Sequence, residues 1–230
     1  MSRLMAVAIL SLLGLPHCLA ESRSLSHVGP YRPLTATETS GAAPSGFEAA
    51  LVEAIIEQRP DDLQSTGFRV GTQEDGIEVY RARPSGLVAT EGAFDSWASL
   101  EGRTACLVAN SPYGNQIAER FKVRFRSYPS SAHALIGLKL GECEVVVDDD
   151  RLLADIAQLP EWKRYNRVLA PLEDAEVSLR LSSVQPGKDE AIRQAVSDWQ
   201  RSEADDELVQ YWIDEVAFQA YVMADTLDCH

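Results

Sequence analysis

The sequence predicts an α/β fold whose parallel sheet is built by right-handed crossovers and followed by a helical tail, and three observations carry that reading. Between residues 99 and 158 short strand-like runs alternate with single helical stretches, the signature of β-α-β units. Apolar residues make up 45% and charged residues 24% of 230, which is a globular composition with room for two lobes. After residue 187 the apolar period becomes helical and stays so.

The first twenty residues are a different polymer from the rest. Arg3 precedes the apolar run 4–15, which is short for a bilayer span and ends at Pro16, and Cys18 and Ala20 frame a small-residue cut before Glu21. This reads as a signal peptide with cleavage expected near Ala20, the alternative being an uncleaved membrane anchor, and export places the mature chain in an oxidising compartment. No later segment is apolar enough to insert in a membrane.

Residues 21–45 are rich in Ser, Thr, Gly and Pro, after which Phe47, Leu51 and Ile55 at helical spacing predict a helix over 46–58. Short alternating runs at 68–70 and 77–80 predict strands. Strands follow at 104–109, 123–128 and 143–147, each succeeded by a helix, at 113–121, 131–140 and 151–158. Runs at 165–169 and 177–181 complete the strands, and helices are expected over 188–199 and 206–223. In such a sheet ligands sit beyond the carboxyl ends of the strands, which puts 110–114 and 148–150 on one rim.

Charge and motif content remove several functions. Lys and Arg number 21 against 35 Asp and Glu, a formal −14, or near −15 once Arg3 leaves with the signal; such a field repels nucleic acid. The four histidines are scattered and no cysteine pair has metal-site spacing, so no metal or other cofactor is expected. No Ser-His-Asp or Cys-His order stands out. The acids Asp148, Asp149 and Asp150 do not by themselves define an acid/base pair, because adjacent strand residues point to opposite faces.

Several stretches in order resemble the extracytoplasmic solute-binding proteins of family 3, the receptors of polar amino-acid ABC importers. Gly29-Pro30-Tyr31-Arg32-Pro33-Leu34, Gly41 and Gly46-Phe47-Glu48 look like that family's first strand, its Tyr-Pro-Pro-Phe loop and its Gly-Phe-Asp helix. The run from Trp97 to Thr104 resembles the Asp-Leu-Lys-Gly-Lys-Thr opening of the second lobe, and Leu135 to Asp149 its Ala-Leu-x-x-Gly-x-x-Asp-Ala-Val-x-x-Asp run. Ala191-Ile192 to Trp199, with Leu208 and Trp212, are similar to the closing helices.

The resemblance implies a type II periplasmic-binding-protein-like fold, two lobes joined by two hinge strands near 87–90 and 177–181. Residues 21–90 with 177–230 form the first lobe and 91–176 the second. It implies a small polar ligand, an amino acid among the candidates, and an ABC permease as partner. Asp149 matches the ammonium-binding position; the alternative is an acidic turn at the start of the next helix. Ser111 at a helix cap with Pro112 behind it would leave the N–H groups of Tyr113 and Gly114 facing a carboxylate; the alternative is a plain cap. Tyr31 is a candidate aromatic wall, whereas Phe47 reads as core. Cys106 and Cys143 lie on strands that would be neighbours, compatible with a disulfide or with two buried thiols.

The first lobe departs from the family. About forty residues between Arg59 and Ala98 replace a longer stretch, and the Thr-x-x-Arg motif that clamps the ligand carboxylate is absent. Arg81 and Arg83 are the nearest bases and read as surface charges. Three functions remain: a transport receptor for a small polar solute; an accessory or sensor module without transport; and, ranked last, an enzyme on this fold.

Overall fold

The computed structural model describes residues 24–38 and 45–227; the signal run 1–20, Gly41 and Cys229 lie outside them. In chain order the strands are β1 (Leu25–Val28), β2 (Phe68–Gly71), β3 (Ile77–Ala82), β4 (Pro84–Val88), β5 (Thr104–Val108), β6 (Arg124–Tyr128), β7 (Val145–Asp149), β8 (Arg167–Leu169) and β9 (Val177–Ser183). The helices are α1 (Phe47–Gln58), α2 (Pro60–Leu63), α3 (Gly114–Phe121), α4 (Ser131–Lys139), α5 (Asp150–Ile156), α6 (Asp189–Arg201) and α7 (Ala204–Leu227).

The strands form two sheets, one per lobe. The first has the order β1-β2-β9-β3, and the second β6-β5-β7-β4-β8. In the second sheet β5 runs parallel to β6 and β7, as the β-α-β pattern requires, while β4 lies antiparallel to both β7 and β8. The parallel arrangement expected of these three strands is present, and β4 joins them antiparallel because it arrives from the other lobe and not through a crossover.

β4 overlaps the hinge strand expected near 87–90 but starts at Pro84, and its first residues gave no strand signal because it is buried on both faces and shows no alternation. Pro84 is tolerated as the first strand residue. At Gly86 an added Cβ would meet Leu169 Cδ1 at 2.9 Å and Val145 Cγ2 at 3.1 Å, so a larger residue there would push these two side chains of the flanking strands aside.

The chain changes sheet at Arg83, between β3 and β4, and again over residues 170–176, between β8 and β9. Leu87 and Val88 therefore pair inside the second sheet, and Val177–Leu181 inside the first. Arg83 is more than a surface charge, because its guanidinium reaches Asp150 at 2.6 Å, at the start of α5, and Glu173 at 2.6 Å, in the second crossing. Arg81 stays on the surface, paired with Glu78 and Glu176.

On the first sheet α1 and α6 pack together, burying Leu51, Ile55 and Val52 beside Ile192, Val196 and Trp199. α4 is buried almost throughout against the second sheet. α7 belongs to neither lobe alone. Its buried face, Val209, Ile213, Val216 and Ala220, lies against α1 and α6 of the first lobe and α4 and α5 of the second. Arg151 of α5 bonds Asp206 of α7 at 2.7 Å. The tail expected to complete the first lobe is a strap across both.

Cys106, in β5, and Cys143, two residues before β7, are joined by a disulfide. Both are buried, and α4 rides over the bridge at Gly137, where a Cβ would come within 2.9 Å of Cys106 Sγ. The bridge spans 37 residues of sequence, so Cys106→Ala with Cys143→Ala is expected to cost about 2–4 kcal/mol of unfolding free energy. Urea titration of the oxidised parent and the double variant measures it.

Candidate functional site

The carboxyl end of β7, the middle strand of the second sheet, carries Asp149. Its side chain is completely buried, and a carboxylate withdrawn from water demands hydrogen-bond donors. Three tyrosines supply them. Tyr31 Oη donates at 2.7 Å to Oδ1 and 2.8 Å to Oδ2, Tyr113 Oη at 2.6 Å to Oδ1, and Tyr80 Oη at 3.2 Å to Oδ2. Tyr31 and Tyr80 come from the first lobe and Tyr113 from the second, so the acid is where the two lobes meet.

Each tyrosine is aimed by a local irregularity. A bulge between Glu78 and Tyr80 breaks the alternation of β3, leaving Val79 and Tyr80 both buried. Tyr31 lies in the loop after β1, which bends through Leu34, a buried residue with φ of 52°. A leucine in the left-handed region is strained by about 1–2 kcal/mol. The bend also presents Thr35 O to Ser131 N at 2.9 Å and Ala36 O to Ser130 Oγ at 3.2 Å, docking the loop on the start of α4. Tyr113 stands at the N-cap position of α3 and stacks edge-on against Tyr31, with ring centroids 5.8 Å apart.

The electrostatics follow from burial. Asp148 Oδ1 accepts the backbone N–H of Asp149 at 2.9 Å, and its buried carboxyl also has the Ser131 hydroxyl beside it. Desolvation pushes both carboxyls well above the ordinary carboxylate range; at Asp149 the neighbouring Asp148 charge adds to this, against the three hydroxyls that favour the ionised form. Tyr31, Tyr80 and Tyr113 are raised well above the usual phenol value, first by burial and then by the Asp149 charge, so they stay protonated donors. Together they present the acid with what an ammonium group would: several converging polar hydrogens.

Of the residues singled out from sequence, the structure gathers Tyr31, Tyr113 and Asp149 into one cluster. Ser111 and Gly114 lie apart from it. α3 begins at Gly114 and not at Pro112, and Ser111 turns back on the chain: its Oγ accepts Tyr113 N and its O accepts Gly114 N, each at 3.4 Å. Those two N–H groups therefore point to Ser111. Asp149 occupies the N-cap position of α5 without making a side-chain cap bond.

Tyr80 and Arg32 were missed. Tyr80 read as an ordinary strand residue, and its only trace in the sequence is the adjacent apolar pair Val79-Tyr80, which breaks the alternation. Arg32 lines an inter-lobe hollow of about 630 Å³ together with His27 and Thr35 from the first lobe and Asn110, Ser127 and Tyr128 from the second. Its Nη1 lies 3.4 Å from Oε2 of buried Glu48, whose Oε1 is 3.0 Å from His27 Nδ1. The first lobe thus does bring an arginine to the cleft, but from the loop after β1. Asp149 does not line that hollow. Among the described residues no group of His, Cys, Asp and Glu could hold a metal ion, and no helix is long and apolar enough to cross a membrane.

No family model matches the chain, and no curated protein matches it. Solved structures do. The GluR0 ligand-binding core from Nostoc punctiforme, in complex with L-glutamate, is 16% identical with a TM-score of 0.57, over 84% of this chain and 99% of that one. The arginine-, lysine-, histidine-binding protein ArtJ from Geobacillus stearothermophilus is 12% identical with a TM-score of 0.54, over 83% and 94%. The ancestral amino-acid-binding protein AncCDT-1, a precursor of cyclohexadienyl dehydratase, is 15% identical with a TM-score of 0.52, over 83% and 95%. Likeness at this level establishes the two-lobed binding-protein fold.

The raised acids set a pH dependence. The folded chain holds protons on Asp148 and Asp149 that the unfolded chain has released, so their contribution to stability falls as pH rises from about 4 to about 7. Asp149→Asn is expected to flatten this fall relative to the parent in unfolding free energies measured at pH 4, 5, 6 and 7. Parallel curves would show that Asp149 does not titrate there.

Proposed function

We propose that this chain works outside the cytoplasm as an accessory or sensor module on the solute-binding-protein fold, with its lobes held shut, and not as a transport receptor that opens and closes on a solute. The observation that carries this reading is Asp149. The position that the family resemblance assigns to a ligand ammonium is fully buried and saturated by hydroxyls of the chain itself. The α7 strap, the Arg83 clamp across both crossings and the Thr35–Ser131 contact support it, since each would have to break or deform for the lobes to part. The apolar run 4–15 and the buried disulfide support an exported chain, cleaved near Ala20.

A transport receptor for a small polar solute, working with an ABC permease, is the second reading. The inter-lobe hollow favours it, with Arg32, Asn110 and Ser127 on its walls and a volume suited to a small molecule. So do the similar structures, one of which is named for the amino acids it binds and another of which is in complex with L-glutamate. Catalysis has less support, because a proton-transfer role for Asp149 needs substrate to reach a side chain that three tyrosines enclose.

A thermal-shift screen of the purified chain against amino acids, opines and small organic anions separates the first two. Solute at a hundred times its dissociation constant adds ~2.7 kcal/mol of stability to a receptor. The shut module is expected to show no shift with any of them; one reproducible shift of that size, with the solute recovered from the protein by native mass spectrometry, decides for the receptor.

A further inference from the structure

We propose that the solvent face of α7 is a docking surface for a polypeptide partner that offers an apolar groove with a cationic rim. The inference deepens the shut-module reading by giving its partner a chemistry. Among the described residues six large apolar side chains are exposed, and four of them, Tyr211, Phe218, Tyr221 and Val222, belong to this one helix. Tyr211, Phe218 and Val222 are seven and four residues apart, so they line up along one side, with Tyr221 beside them. The opposite side is already spent on the two lobes through Val209, Ile213, Val216 and Ala220. Aromatic anchors at this spacing match helix-in-groove recognition, and half-exposed aromatics in a row mark interaction sites more often than chance exposure does.

The charge around the stripe selects the occupant. Glu207, Asp214, Glu215 and Asp225 flank it, and no Lys or Arg occurs from residue 202 to the end of the helix. Asp214 and Glu215 accept from Gln210 and Gln219, at 3.0 and 2.9 Å, and neither is in an ion pair among the described residues, whereas Asp206 on the edge facing α5 is paired with Arg151. A second copy would set acid against acid on a chain of net charge −14, and an anionic lipid surface would meet the same repulsion. A groove rimmed by Lys or Arg satisfies both the aromatic stripe and its unpaired acids.

The probe is a fluorescently labelled 18-residue amphipathic helix of Leu and Lys, titrated with the full chain by anisotropy, beside a Leu and Glu helix of the same pattern. The Leu/Lys helix is expected to bind and the Leu/Glu helix not. Phe218→Glu with Tyr221→Glu is expected to weaken binding at least tenfold without moving the thermal midpoint, since both side chains are exposed. Asp214→Lys with Glu215→Lys is expected to weaken it as well and to reduce its salt dependence. Unchanged binding by the Phe218 variant, or equal binding of the two helices, overturns the proposal. So does sedimentation as a dimer that Phe218→Glu converts to monomer, or binding to anionic phospholipid vesicles. A solute-induced thermal shift would sink the shut-module reading by itself, whatever the outcome of this titration.

Discussion

A carboxylate removed from water at the junction of two lobes is the constraint around which the rest of this molecule is arranged. Left without donors, the Asp149 side chain would cost several kcal/mol. Its burial is tolerable only because Tyr31, Tyr80 and Tyr113 converge on it, and each has to be delivered from a different element. The bulge in β3 turns Tyr80 inward, and the cap position of α3 holds Tyr113. The left-handed Leu34 bends the loop that carries Tyr31. The strain at Leu34 is small beside the cost of an unsatisfied buried acid, and the same bend gains two further bonds to the start of α4.

The same constraint bears on motion. Two lobes joined by two crossings ordinarily rock about them. Here the movement would expose Asp149 and Asp148, strip the tyrosines of their acceptor, and shear α7 across the groove it spans. Arg83 holds the two crossings to one another and to the start of α5. The tyrosines fill the junction around Asp149, and Arg32 reaches the cleft from the loop after β1, with Glu48 and His27 behind it.

How far the site could be read in advance depended on how local each signal was. Asp149 lies at the end of a run with a recognisable spacing, and a strand's carboxyl end is a general place for ligands, so one residue number was enough to mark it. Tyr31 stood in a loop and was noticed for that reason. Tyr80 could not be singled out, because its role rests on a one-residue bulge, and a bulge is set by pairing with β9 and not by the residues of β3 alone. The cap reading at Ser111 failed because Ser-Pro is a local preference, and the packing of Tyr113 against Tyr31 and Asp149 carried the helix start two residues onward.

The sequence by itself determined the order and type of most elements, the helical tail, the acidic surface and the α/β class, because periodicity and composition report which face of each segment must be buried. Tertiary structure alone decided that β4 runs antiparallel in the second sheet and that α7 straps both lobes. It also decided that Cys106 and Cys143 are bonded, and that Asp149 meets the chain's own hydroxyls. The disulfide and the Asp149 cluster join residues 36 to 118 apart in the chain, α7 reaches still farther back to α1, and no local pattern encodes such a distance.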